Sequence, residues 1–162
     1  MFVCYAQKPL PQQMGGIFLA GPTPRSAEVP SWRPQALALL REKGYTGPVY
    51  VPEEESGQIK GDYMDQIQWE WACLEAADVV LFWVPRELVT MPAFTTNVEF
   101  GMYADSGKVV LGYPEGAPKM RYLHALADRF GVPVHHDLEE TLTRAVAYQQ
   151  GQAGKKIRAA VR

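Results

Sequence analysis

Apolar residues in this chain come in short unbroken runs, separated by longer stretches in which they recur with a helical period. The runs are Ile17-Phe-Leu-Ala20, Val49-Tyr-Val51, Val79-Val-Leu-Phe-Trp-Val84, Val109-Val-Leu111 and Val132-Pro-Val134. Runs this short, bounded by Gly, Pro or Asp, predict buried strands. The continuous run at Val79–Val84 predicts a central parallel strand covered on both faces. Pro133 moves the last strand to a sheet edge. Between the runs, helices are predicted over Trp32–Lys43, Tyr63–Ala77, Asn97–Asp105, residues 119–130 and Leu138–Gln149. Leu37 and Leu40 mark the core side of the first helix, and Leu123, Leu126 and Phe130 that of the fourth. In the second, the stripe is Ile67, Trp71 and Leu74, which puts Trp71 in the core with Trp83. Trp69 then falls about 200° from the stripe and is expected outside, as a subunit contact or a base-stacking wall, the subunit contact being favoured.

This alternation implies an α/β fold: a single-domain, doubly wound, five-stranded parallel sheet of the flavodoxin or Rossmann kind. Such sheets bind ligands at the carboxyl ends of their strands, so the loops after Leu19, Val51, Val84 and Leu111 are where a site is expected. One domain is predicted over residues 1–150. Residues 151–162 hold Lys155, Lys156, Arg158 and Arg162 and no acid, and are expected to form a flexible basic tail.

Charge narrows the function classes. The 162 residues carry 16 basic and 18 acidic side chains, a net −2. All 18 acids precede residue 151, which leaves that part at −6 and the tail at +4. Bulk electrostatic binding of a nucleic acid polymer is therefore not expected. The apolar runs are too short to span a membrane, and the N-terminus has no signal-peptide pattern. Cys4 and Cys73 form no disulfide framework or zinc spacing, and a cytoplasmic setting is the expectation. His135-His136 lies at a strand end without carboxylates at ligand spacing, so no metal site is predicted.

Two carboxylates stand out. Glu99 lies where a loop from a strand's carboxyl end enters a helix; in the first turn it would meet the positive end of the helix dipole, which favours the anion. An anionic carboxylate there suits glycosyl transfer, whose transition state is a cationic oxocarbenium. Thr96-x-x-Glu99 is also the spacing of a capping box, a purely structural arrangement. Glu70 falls about 60° from the apolar stripe of its helix, a place from which it can point across the sheet end or into solvent. Arg25 and Arg33 flank the first strand's loop, either as surface arginines or as a phosphate contact. Gly21-Pro-Thr-Pro-Arg25 is not a nucleotide loop, because its prolines remove backbone donors.

Three segments, Ile17-Phe-Leu-Ala-Gly-Pro-Thr-Pro-Arg25, Trp69-Glu-Trp-x-x-Leu-x-x-Ala-Asp78 and Pro92-Ala-Phe-Thr-Thr-Asn-Val-Glu-Phe-Gly101, resemble the nucleoside 2-deoxyribosyltransferase-like family. Gly107-Lys-Val-Val-Leu-Gly112 fits the same pattern, and the resemblance runs from about Ile17 to His136. It implies an enzyme that cleaves or transfers at the N-glycosidic bond of a (deoxy)nucleoside, without metal or organic cofactor, and a homo-oligomer. The family's nucleophile corresponds to Glu99. Its second acid, eight residues before Asp78, corresponds to Glu70, a Glu where better-known members have Asp. A tyrosine that several members carry on the first strand falls at Ile17 or Phe18. An acid or serine ahead of the nucleophile falls near Ala93, and Thr96 or Asn97 are the candidates to replace it. Gly21, Arg25, Arg33, Trp69, Phe94, Thr96 and Asn97 are the expected substrate contacts. The rival readings are an N-glycosidase of nucleoside 5′-monophosphates, with Arg25 and Arg33 on the phosphate, a non-catalytic nucleoside- or nucleotide-binding module, and an interaction protein using Trp69 and the tail.

Overall fold

The apolar runs form the sheet as expected, and its three central strands Ile17–Ala20, Val79–Trp83 and Val109–Gly112 are buried at every residue. The computed structural model describes residues 1–11, 14–55 and 62–160, with side chains through Gly151. The polar loop expected up to Lys60 lies partly, and the last two residues of the basic segment lie wholly, outside the described residues. Among the described residues, the strands are β1 (Phe2–Tyr5), β2 (Ile17–Ala20), β3 (Pro48–Val51), β4 (Val79–Trp83), β5 (Val109–Gly112) and β6 (Val134–His135). They pair in parallel in the order β1-β3-β2-β4-β5-β6. The sheet therefore has six strands rather than five. The added one, β1, is an edge strand whose only buried residue is Cys4, too little apolar pattern to announce a core strand. At the other edge, β6 starts one residue after Pro133, as a missing N–H requires.

The helices are α1 (Arg33–Glu42), α2 (Tyr63–Ala76), α3 (Phe94–Tyr103), α4 (Arg121–Phe130) and α5 (Leu138–Ala160). α1 and α5 cover one face, where Trp32, Leu37, Leu40 and Leu142 meet Ile17, Leu19, Val79 and Leu81. α2, α3 and α4 cover the other, where Trp69, Leu74, Phe100 and Leu123 meet Phe18, Ala20, Val80 and Phe82. α5 runs past Gln149, so the helix continues through the start of the basic segment. No described helix is long and apolar enough to cross a membrane.

Two expectations about helix faces are corrected. In α2 the buried positions are Gln66, Trp69, Cys73 and Leu74, while Trp71 is 52% exposed. Trp69 is thus a core residue, its Nε1 donating to the Lys8 carbonyl at 2.9 Å, and it is available neither as a surface contact nor as a stacking wall. The segment after β1 covers that side of α2, and without β1 the wheel had no partner there. In α4, Phe130 is exposed and Ala127 takes its place in the core.

The sheet order also locates the crevice. From β2 the chain goes to β3 on one side, then crosses to β4 on the other. The carboxyl ends of β2 and β4 are therefore the topological switch point. Gly21 sits there at φ 147°, and a Cβ on it would lie 2.1 Å from the Trp83 carbonyl oxygen. Only glycine lets the β2 loop leave so close to β4.

Candidate active site

A cavity of about 240 Å³ opens at this switch point. Phe18, Ala20 and Gly21 enter it from β2, Gln66, Ile67 and Glu70 from α2, and Ala93, Phe94, Thr96 and Glu99 from the start of α3. The volume is below the ~300 Å³ at which drug-sized pockets begin, so it suits a small ligand with one end at the mouth. The mouth carries Phe94 and Tyr63, each 68% exposed. Arg25 lies against Phe94, with its guanidinium carbon 5.4 Å from the ring centroid. A larger cavity of about 850 Å³ adjoins it and shares Thr23, Arg25 and Arg33, but reaches neither Glu70 nor Glu99.

Glu99 is placed by its neighbours. Phe100 is fully buried and packs edge-on against Phe82 of β4, 5.2 Å between centroids, which fixes the rotation of α3. α3 begins at Phe94, three residues earlier than expected, after Ala93 in a left-handed conformation (φ 61°, ψ 40°), and no side chain caps it. Thr96 and Glu99 are therefore not a capping box. Glu99 lies in the second turn, beyond the reach of the unpaired N–H groups that were expected to favour its anion. Burial acts the other way: desolvation, reinforced by the Glu70 charge and opposed by Arg33, pushes the Glu99 carboxyl up to about 8.

Glu70 is half-buried. Burial raises its pKa as well, while a hydrogen bond from Gln66 and the charge of Arg33 lower it. Gln66 Nε2 donates to Glu70 Oε1 at 2.7 Å. The two carboxyls therefore share one cavity with a buried cation close by. Groups so coupled lose their protons in two steps that belong to the pair.

Arg33 is that cation, and it is not a surface arginine. It is 1% exposed and forms a buried ion pair with Glu53. Its Nε donates to the Leu19 carbonyl at 3.1 Å, Nη1 to Thr23 Oγ1 at 3.1 Å and Nη2 to the Gly21 carbonyl at 2.7 Å. Glu53 in turn accepts from Ser31 Oγ at 2.9 Å. Arg33 thus clamps the loop after β2, with few N–H groups left for a phosphate. Arg25 is exposed and holds the rim through its backbone N–H on the Thr90 carbonyl, 3.0 Å.

The two expected catalytic residues, Glu70 and Glu99, line the cavity, as do Gly21, Arg25, Arg33, Phe94 and Thr96 of the expected contacts. Trp69 does not, for the reason given above. Asn97 does not either, because its side-chain oxygen accepts from the buried Arg86 on the far side of α3. Sequence reasoning missed Gln66, Ile67, Tyr63 and Pro52 as lining residues. For Gln66 a signal existed: it stands four residues before Glu70 on one helix, the spacing at which side chains meet.

No curated protein matches this chain. The family model for nucleoside 2-deoxyribosyltransferase-like proteins matches residues 15–117. That match runs from the glycines before β2 to beyond β5 and so contains every strand end and side chain of the cavity. It covers more than half of the sequence, and the chain belongs to the nucleoside 2-deoxyribosyltransferase-like family.

Proposed function

We propose that this protein cleaves or transfers the N-glycosidic bond of a nucleoside by double displacement, with Glu99 as nucleophile and Glu70 as its acid–base partner. The observation that carries the reading is the convergence of Glu70 and Glu99 in one small cavity at the switch point of the sheet. Family membership supports nucleoside glycosyl transfer in general.

The chemistry follows from a pair that carries one proton between them. In the reactive form Glu99 is ionised and the proton sits on Glu70. A Glu99 oxygen attacks the anomeric carbon, the carbon–nitrogen bond breaks with its electron pair going to the base, and Glu70 gives its proton to the leaving nitrogen. A glycosyl ester on Glu99 results, with Glu70 ionised. A second base or water then attacks the same carbon, Glu70 takes the incoming proton, and Glu99 is released. Burial serves this scheme, because a poorly solvated Glu99 anion stabilises the cationic sugar strongly. Phe94 and Tyr63 offer faces for the base at the mouth.

The direct test is incubation with nucleosides and their 5′-monophosphates, following free base by chromatography. Wild type releases base, and Glu99→Gln loses about a thousandfold or more of that rate. Full activity in Glu99→Gln overturns the mechanism. The monophosphate reading retains one observation in its favour, the exposed Arg25 at the rim, since Arg33 is committed to Glu53 and the loop carbonyls. If a phosphate is held there, Arg25→Ala raises KM for the monophosphate about tenfold or more and leaves the nucleoside unaffected. Equal turnover of monophosphate by both proteins removes that reading.

A further inference from the structure

Gln66 is 2% exposed, a place where an amide has a cost unless its groups are bonded. Two acceptors are within reach, Glu70 Oε1 at 2.7 Å and the Pro52 carbonyl at 3.5 Å. The NH2 end of the amide must therefore face them. The other end, Oε1, is buried and has no hydrogen-bond partner among the described residues. Packing alone does not explain such a residue, since a Met or Leu would fill the site without stranding an acceptor. What the amide does provide is one donor, fixed on the end of β3 and aimed at one oxygen of Glu70.

We propose that Gln66 is a positioning residue that commits Oε1 of Glu70 to a hydrogen bond and so leaves Oε2 as the oxygen that carries and delivers the proton. An N–H donor on Oε1 makes that oxygen the carbonyl of the protonated acid, and the acid hydrogen has only Oε2 to occupy. Gln66 thereby stops Glu70 from turning its proton away from the ligand. This inference rests on the reading of Glu70 as the acid–base partner of Glu99.

The charged and titratable groups around Glu70 come from every neighbouring element. They are Arg33 on α1 with its partner Glu53 after β3, Arg25 at the rim, Glu99 on α3, and Tyr63 and Cys73 on α2 itself. Loss of the Gln66 donor removes one of the two influences that favour the Glu70 anion and leaves Arg33 as the other.

The test is Gln66→Met, alone and combined with Glu70→Gln. The Glu side-chain carboxyl carbons are followed by NMR across pH in the unliganded protein, with Glu70→Gln assigning the Glu70 signal. The expected result is an upward displacement of the Glu70 titration in Gln66→Met, with a thermal midpoint equal to wild type or higher. This readout needs no turnover, so it stands even if no nucleoside is a substrate. In the enzyme assay, Gln66→Met lowers kcat about tenfold on a nucleoside with little change in KM. The loss vanishes on a deoxyriboside of 4-nitrophenol, whose leaving group needs no proton, and it is absent in the Glu70→Gln background. An unmoved Glu70 titration, or a kcat loss equal for both leaving groups, overturns the inference. A lowered thermal midpoint with an unmoved titration assigns Gln66 to packing instead.

Discussion

At the scale of single residues, Glu99 carries the sharpest consequences. Its carboxyl is pushed up to about 8 by burial and by Glu70. If the reactive pair holds one proton, kcat/KM falls about tenfold per pH unit above that value as the proton is lost, and falls again at low pH where the pair takes up a second. Glu70→Gln removes both the acid and the repelling charge. The profile of that variant then reverses, rising with pH as Glu99 ionises, with a midpoint below that of the wild type. Steady-state rates between pH 5 and 10 measure both. The same shift is a statement about folding. A carboxyl whose folded pKa is raised stabilises the protein while it is protonated, and that advantage is lost as pH rises from the unfolded value through about 8. Glu99→Gln, which cannot ionise, should therefore melt higher than wild type at pH 9 and gain little or nothing at pH 5. Thermal melts at the two pH values check this, and an equal difference at both would contradict the raised pKa. Position in the chain and the family resemblance pointed to Glu70 and Glu99 as the carboxyls to watch. They did not show the sign of the Glu99 shift, because that depends on burial and the Glu70 charge and not on the helix dipole.

At the scale of elements, α2 shows what a helical wheel can and cannot give. Its length and its place between two strands were legible from Tyr63 to Ala77, but its rotation was not. The stripe Ile67, Trp71 and Leu74 scores well for apolarity, yet Gln66 and Trp69 face inward. The deciding partners outside the helix are the Lys8 carbonyl for Trp69 and the Pro52 carbonyl for Gln66, which also bonds Glu70 one turn further along. Trp69→Ala is expected to cost about 3–5 kcal/mol, from lost burial and an unpaired carbonyl. Trp71→Ala should cost about 1 kcal/mol or less, since it is 52% exposed. Urea denaturation of the two variants measures the contrast, and similar losses would return the helix to the orientation its apolar stripe suggests. α3 was misjudged in the same way at its start. Ala93 in a left-handed turn opens the helix without a capping side chain, and nothing in its sequence signals that. The cost of that misjudgement was a Glu99 assigned to the wrong turn.

At the scale of the whole molecule, the sheet divides labour between its two ends. The carboxyl ends of β2 and β4 hold the cavity, and the amino ends of the same strands hold a tie centred on Asp78. Asp78 Oδ2 accepts from the Gly16 backbone N–H at 2.9 Å, and the Gly16 carbonyl accepts from the N–H groups of Asp78 and Val79 at 3.0 and 3.1 Å. Gln149 of α5 donates to the same Oδ2 at 3.3 Å. One carboxylate thus joins β2, β4 and a helix of the opposite layer. The strand-opening Asp that marked the family resemblance is therefore a structural residue, whereas Glu70, eight positions before it, lies at the other end of the sheet. Sequence spacing links the two without separating their roles; strand direction separates them. Asp78→Asn keeps the shape but weakens charge-assisted bonds that are worth about 1–3 kcal/mol. The thermal midpoint is expected to fall by about 5 °C. Because β2 and β4 run the length of the sheet between the tie and the cavity, kcat/KM at a temperature where both proteins are folded should change less than about twofold. Melting curves and nucleoside turnover on the same samples decide it. A large loss of turnover with an unchanged midpoint would mean that the two ends of the sheet are coupled, and that Asp78 belongs to the chemistry after all.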